Sequence, residues 1–269
     1  MARERRRLLI SQERLLAAAG NPGSLPQLAL TAEESHYVCR VLRLRLGQEL
    51  AIINGQGQLW GARLDGADAR HSQLSLLQPI EAPEETAAAQ ACTISLAMAL
   101  PKRDSDVLVR MACELGVDRL QPLIADRSVV GERVPRQRLE AILREATEQC
   151  ERLWLPALEE PCPSTDWLKR PSTAVRLLAT TRHDQLPALL DHLRHDPCQP
   201  TEWQLAIGPE GGWSEREEEL AAASGWQLVS LGDTILRTAT AAVAGITLLS
   251  HWRDHHCRTD AANGSDLER

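Results

Sequence analysis

No run of 18 or more apolar residues occurs in the 269-residue chain, so no membrane-spanning helix is expected. No secretory leader is expected either. The start, MARERRRLLI, is basic but lacks the apolar stretch and the small-residue cleavage pattern of a signal, and a cytoplasmic protein is expected. No C-x-x-C pair occurs among the seven cysteines, at 39, 92, 113, 150, 162, 198 and 257; their odd number and scatter argue against a disulfide framework and a zinc ribbon. G-x-G-x-x-G and G-x-x-x-x-G-K-[ST] are also absent, which disfavours a Rossmann-type enzyme and a nucleoside triphosphate site. An overall positive charge is lacking as well, the net charge being −7. The average hides a split, because residues 1–50 carry eight arginines against five glutamates. Any phosphate contact is expected from that end.

The length suits two modest domains. In residues 1–80 the runs Arg7–Ile10, Leu50–Ile53, Leu59–Leu64 and Leu74–Leu77 read as strands, with Asn54-Gly55 as a hairpin signal because both turn residues favour positive φ. A small β-barrel or β-sandwich is expected there. Thr31-Ala32-Glu33-Glu34 has the form of a capping box and starts a helix carrying His36, Tyr37, Val38 and Val41. Glu81–Gln90 lacks apolar periodicity and reads as the linker to a second domain over 90–257, with 258–269 as a disordered tail.

The second domain alternates strand and helix, which implies a parallel sheet and an α/β class. Ala91–Met98 is a buried strand; a helix follows with Val107, Leu108, Met111, Ala112 and Leu115 on one face, stopped by Gly116; Leu120–Ile124 is the next strand. Residues 136–152 form a strong helix with Leu139, Ile142, Leu143 and Ala146 on one side. Residues 156–172 read as a proline-rich surface connection, Ala174–Thr180 as a strand, and His183–Gln199 as a helix and loop of low information. Ser214 caps a helix over Glu215–Ala223, Trp226–Leu231 is a strand, and Thr240–Trp252 is a long apolar helix. His251 and His255 stand i, i+4, but where the chain leaves its final helix, and no metal site is expected.

Two stretches carry the chemistry. Leu205-Ala206-Ile207 has the character of a buried strand and turns through Gly208-Pro209-Glu210-Gly211-Gly212, where glycine bares the backbone. Leu231-Gly232 and Ile235-Leu236-Arg237-Thr238 follow one strand-helix-strand unit later. One Gly-Pro-x-Gly-Gly turn alone is commonly just a tight connection. Two at neighbouring strand ends can wall one pocket, since open parallel sheets bind ligands outside the carboxyl ends of their strands.

IGPEGGWSEREEE followed by LGDTILRTATAA resembles the RsmE family, the bacterial 16S ribosomal RNA uracil-N3 methyltransferases of the SPOUT superfamily. The resemblance implies a SPOUT-type parallel sheet with a C-terminal trefoil knot, preceded by a PUA-like RNA-binding domain that LTAEESHYVCRVLRLRLGQEL and NGQG match. It implies S-adenosylmethionine as cofactor, 16S rRNA or the small ribosomal subunit as partner, and a homodimer. Ile207, Gly208, Pro209, Glu210, Gly211, Gly212, Leu231, Gly232, Ile235, Leu236 and Thr238 are then expected to hold the cofactor, largely through backbone groups. His36, Arg40, Arg43, Arg45, Arg127, Gln149 and Arg152 are expected RNA contacts, and Arg237, Glu210 and Lys102 the catalytic set, with Glu114 and Ser128 along the cleft or RNA path. Such an enzyme has to orient two substrates and assist loss of the uracil N3 proton.

The chain departs from the family pattern twice: Ala239 stands where Leu-Arg-Thr-Glu-Thr has glutamate, and Met111 where a lysine is usual. These departures keep two alternatives in view, a non-catalytic rRNA-binding or ribosome-assembly protein and a SPOUT ribose 2′-O-methyltransferase.

Overall fold

The computed structural model describes residues 6–18, 25–80, 92–129, 135–181, 183, 185–195 and 200–264. The linker expected over Glu81–Gln90, and Arg3 and Arg5, lie outside them. The chain divides into two compact units, one of residues 1–86 with 144–155 and the other of 87–143 with 156–269.

In the first unit, strands β1 (Arg7–Leu9), β2 (Gln27–Ala29), β3 (Glu49–Ile53), β4 (Leu59–Gly66) and β5 (Gln73–Ile80) make one sheet in the order β1-β3-β4-β5-β2, with β1 parallel to β3 and the other pairs antiparallel. Leu8, Leu50, Ile52, Leu64 and Leu74 bury one face with Leu15, Leu28 and Val38. Leu9, Ala51, Ile53 and Leu59 bury the other against Leu153, with Trp154 packed beside them. Covered on both sides, β3 is a continuous apolar run rather than an alternating one. The sequence alone gives 144–155 to the second domain; this packing is why it joins the first. Gly57 (φ +90°) shows how close the approach is, since a Cβ there would lie 2.3 Å from the Trp154 ring.

The capping box forms as predicted. Thr31 accepts from the Glu34 amide and the Glu34 carboxylate from the Thr31 amide, opening helix Ala32–His36, which loosens into a π-helical turn over Tyr37–Val41. The hairpin differs from expectation. Its loop runs five residues, from Asn54 to Gln58, with positive φ at Gly55 and Gly57 but not at Asn54. Asn54 instead uses its side-chain oxygen to accept from the Gln56 and Gln58 amides, organising the wider loop.

The second unit holds β6 (Thr93–Ala99), β7 (Arg119–Ile124), β8 (Ala157–Leu158), β9 (Cys162–Pro163), β10 (Val175–Ala179), β11 (Glu202–Ile207) and β12 (Gln227–Val229). They form a parallel sheet in the order β12-β10-β11-β6-β7-β8, with β9 also on β7. Register brings Ala179, Ile207 and Val229 level, so β10, β11 and β12 end together.

Helix Ser105–Glu114 buries Leu108, Val109, Ala112 and Cys113, whereas Val107 and Met111, expected on the apolar face, are 42 % and 41 % exposed. The stripe is rotated by one residue from the predicted one. Helix Arg136–Gln149 buries Leu139, Ile142, Leu143 and Ala146 as predicted. The stretch read as a surface connection instead contains helix Ser164–Leu168, whose Trp167 and Leu168 are buried and whose Leu168 carbonyl accepts the Trp226 indole N–H at 3.0 Å. Proline punctuation masked a short buried turn. The last helix spans Thr238–Gly264, running past Trp252 into the residues expected to be a tail. Arg253, 4 % exposed, fastens it by pairing with Asp118 at 2.7 Å and donating to the Gly116 carbonyl at 3.0 Å.

Candidate cofactor and substrate site

The level ends of β10, β11 and β12 open into a cavity of ≈ 390 Å³. Because β10 lies between the other two in the sheet, the two glycine bends flank the loop that leaves β10. All eleven residues expected to hold a cofactor line this cavity: Ile207 to Gly212 from the first bend, and Leu231, Gly232, Ile235, Leu236 and Thr238 from the second.

Side chains fix the bends by bonding to backbone. Trp213 is buried, and its indole N–H donates to the Ala179 carbonyl at 3.0 Å, tying the first bend to β10. Thr238 donates its hydroxyl to the Gly208 carbonyl at 3.1 Å and so joins the second bend to the first. Arg127 donates to the carbonyls of Gly211 (3.1 Å) and Trp213 (2.9 Å). Gly212 takes φ +72°, a left-handed conformation that disfavours a β-branched residue. Beyond the bend, Ser214 and Glu217 form the capping box of helix Glu215–Ala223. Glu217 is fully buried and also accepts from the Ser164 hydroxyl and the Asp126 amide, locking the loop after β7 in place.

The remaining predicted residues fall in several places. Glu210 is exposed and lines the cavity, but Lys102, just after β6, and Arg237, just before the last helix, are exposed and are not part of its lining. Glu114 and Ser128 also lie outside the lining; the Ser128 hydroxyl accepts from the Ala125 amide. Arg127, expected on RNA, is part of the cavity wall. His36, Arg40, Arg43 and Arg45 are exposed on the first unit, Arg43 with φ +55°. Gln149 and Arg152 belong to the same unit, where Gln149 donates to the Tyr37 hydroxyl at 3.0 Å. Near them Glu148, 7 % exposed, accepts from the Leu9 amide at 2.8 Å. Burial pushes its pKa up to about 7, more than that amide and the Arg144 guanidinium can offset.

Sequence reasoning missed the loop leaving β10. Ala179, Thr180, Thr181 and His183 all line the cavity, and Glu218 joins them from the first turns of the helix after the bend. The Thr180 hydroxyl donates to Glu218 Oε1, while His183 Nε2 lies 2.9 Å from Glu218 Oε2. No local motif announces this group, since its members are separated in sequence by 35 residues or more from their carboxylate partner.

The lining fits S-adenosylmethionine. Its volume is within the range of small-molecule sites, bare glycine backbone offers amides and carbonyls, and Ile207, Leu231, Ile235 and Leu236 supply apolar contact for an adenine. The carboxylates of Glu210 and Glu215 suit a cationic ligand.

Several known proteins are similar to this chain. The profile of an RNA methyltransferase domain matches residues 88–250, and that of an RNA methyltransferase PUA domain matches 30–77. The ribosomal RNA small subunit methyltransferase E of Synechocystis sp. is 33 % identical over 249 residues, covering 91 % of this chain and 77 % of that protein. Its namesake from Rickettsia conorii is 30 % identical over 213 residues, 78 % of this chain and 84 % of that one. The ribosomal RNA small subunit methyltransferase E of Neisseria gonorrhoeae, solved bound to S-adenosylmethionine, is similar with a TM-score of 0.78 at 25 % identity over 92 % of this chain and 98 % of that one.

Proposed function

The chain belongs to the RNA methyltransferase family whose members carry a PUA domain, and from that premise we propose that it methylates N3 of a uridine in 16S ribosomal RNA. It is an S-adenosylmethionine-dependent RNA methyltransferase. The observation that carries this reading is the convergence of both glycine bends on one cavity at the level ends of three parallel strands.

In this reading the eleven residues of the two bends hold the cofactor, which when bound supplies an activated methyl group. Arg127 and Trp213 keep the first bend open by holding its carbonyls and its neighbours, and Thr238 sets the spacing of the two bends. Glu210 faces the cofactor's positive charge, while Arg237 and Lys102 act on the RNA outside the cavity. His36, Arg40, Arg43, Arg45, Gln149 and Arg152 meet RNA on the first unit. The finer features of the family belong to the same reading: domains over 1–80 and 90–257, a trefoil knot through which the final helix is reached, a homodimer and a cytoplasmic location. Exposed Val107 and Met111 offer apolar surface to a second copy.

Calorimetry with S-adenosylmethionine and mass spectrometry of 16S rRNA from a deletion strain test the proposal together. Micromolar cofactor binding and one uridine that loses its N3 methyl group are expected. Binding of RNA without any cofactor affinity would leave a non-catalytic role instead.

A further inference from the structure

We propose that His183 is the proton acceptor of the methyl transfer and Glu218 its positioning residue, an inference that rests on the methyltransferase reading. Uracil N3 carries a hydrogen, so its lone pair is available to a methyl group only as that proton leaves. Among the described residues, five titratable side chains line the cavity: Arg127, His183, Glu210, Glu215 and Glu218. Arg127 is a donor without an acceptor atom, and one of its nitrogens already donates to two backbone carbonyls. Glu218 has both oxygens engaged, one by the Thr180 hydroxyl and the other by the His183 ring.

An ionised carboxylate only accepts hydrogen bonds, so the proton of the 2.9 Å contact sits on His183 Nε2. In the neutral ring Nδ1 then carries the lone pair. This is the arrangement in which a carboxylate selects the tautomer of an imidazole base and balances the charge it acquires. Imidazole is the side chain most often used for proton transfer of this kind. Position adds a second argument. His183 lies in the segment that leaves β10, the strand between those that carry the two bends, and it lines the cavity. Ala239 supplies no carboxylate from the turn that opens the last helix.

The step balances without a further reactant. The N3 proton passes to Nδ1 as the N3 electron pair forms a bond to the methyl carbon. The carbon–sulfur bond breaks with its electrons remaining on sulfur, which ends as a neutral thioether, and the imidazolium returns its proton to solvent.

The test compares the native protein with His183→Ala and Glu218→Gln on 16S rRNA. His183→Ala is expected to lower kcat by about 10²-fold or more, to leave the calorimetric affinity for S-adenosylmethionine within about threefold, and to recover part of its rate in buffer containing free imidazole. Glu218→Gln is expected to lose about tenfold in kcat with its cofactor affinity likewise kept. Independently of turnover, nitrogen-15 shifts of the cofactor-free protein are expected to report the Nε2–H tautomer at His183 and a mixture of tautomers in Glu218→Ala. A His183→Ala protein within threefold of native kcat, or one whose cofactor affinity falls in step with its rate, would overturn the proposal. A native protein that transfers no methyl group to rRNA would remove the broader reading first, a result seen before any variant is made.

Discussion

Around the cavity of the second unit, Arg127, Trp213 and Thr238 commit their polar atoms to the carbonyls of Gly211, Trp213, Ala179 and Gly208. On the first unit, Arg40, Arg43 and Arg45 present exposed side chains on a π-helical turn and the loop after it. One site is thus made of backbone held in shape by side chains, the other, as proposed, of the exposed side chains themselves. The first kind couples ligand binding to stability, because what shapes the pocket also closes the core. The second kind separates them.

The largest effect should come from Trp213→Ala, which empties a buried site and frees the first bend from β10. A loss of about 3–5 kcal/mol in denaturant unfolding is expected, together with loss of detectable cofactor binding. Trp213→Phe keeps the ring and loses the bond, so about 1 kcal/mol and weakened binding are expected. Destabilisation with native cofactor affinity would break the coupling.

Glu148 sharpens the comparison from inside the first unit. Its folded pKa of about 7 lies above the ordinary 4.5, so the stability it contributes is fully present below pH 4.5 and is lost as pH rises through about 7. Glu148→Gln keeps an acceptor for the Leu9 amide without the buried charge. Thermal melts should show the variant gaining about 2 kcal/mol on the native protein between pH 5 and pH 8. An equal difference at both pH values would show that burial of the carboxylate is not the cause.

The smallest change in stability belongs to Arg40, Arg43 and Arg45 replaced together by alanine. Unfolding should stay within about 0.5 kcal/mol of native and cofactor affinity should not move. RNA affinity should fall, and its dependence on salt should flatten by about 2 units of slope, one contact for each phosphate lost. A salt slope equal to the native one would place RNA elsewhere.

Sequence revealed the features whose cause is local. The capping box at Thr31, the N-cap at Ser214, the strands at Leu50 and Leu205 and the glycine bends each depend on a few consecutive residues, and all are present. What it hid depends on strand order. That β10 lies between β11 and β12, which brings Thr180 and His183 into the cavity, is a long-range outcome with no periodic trace. Likewise nothing in the composition of 144–155 says that Leu153 covers Leu9 and Ile53. Lys102 and Arg237 show the converse, since a motif can nominate a residue that the fold leaves outside the cavity.

The cavity wall is gathered from residues as far apart as Arg127 and Ala241, and it closes only when Thr238 reaches Gly208. During synthesis, therefore, a nascent chain halted before that threonine lacks both the bond that joins the two bends and the helix whose Ala242, Ile246 and Leu249 are buried in the core. A ligand that binds only the finished protein adds stability in proportion to its occupancy, so S-adenosylmethionine would favour survival of full-length chains over interrupted ones.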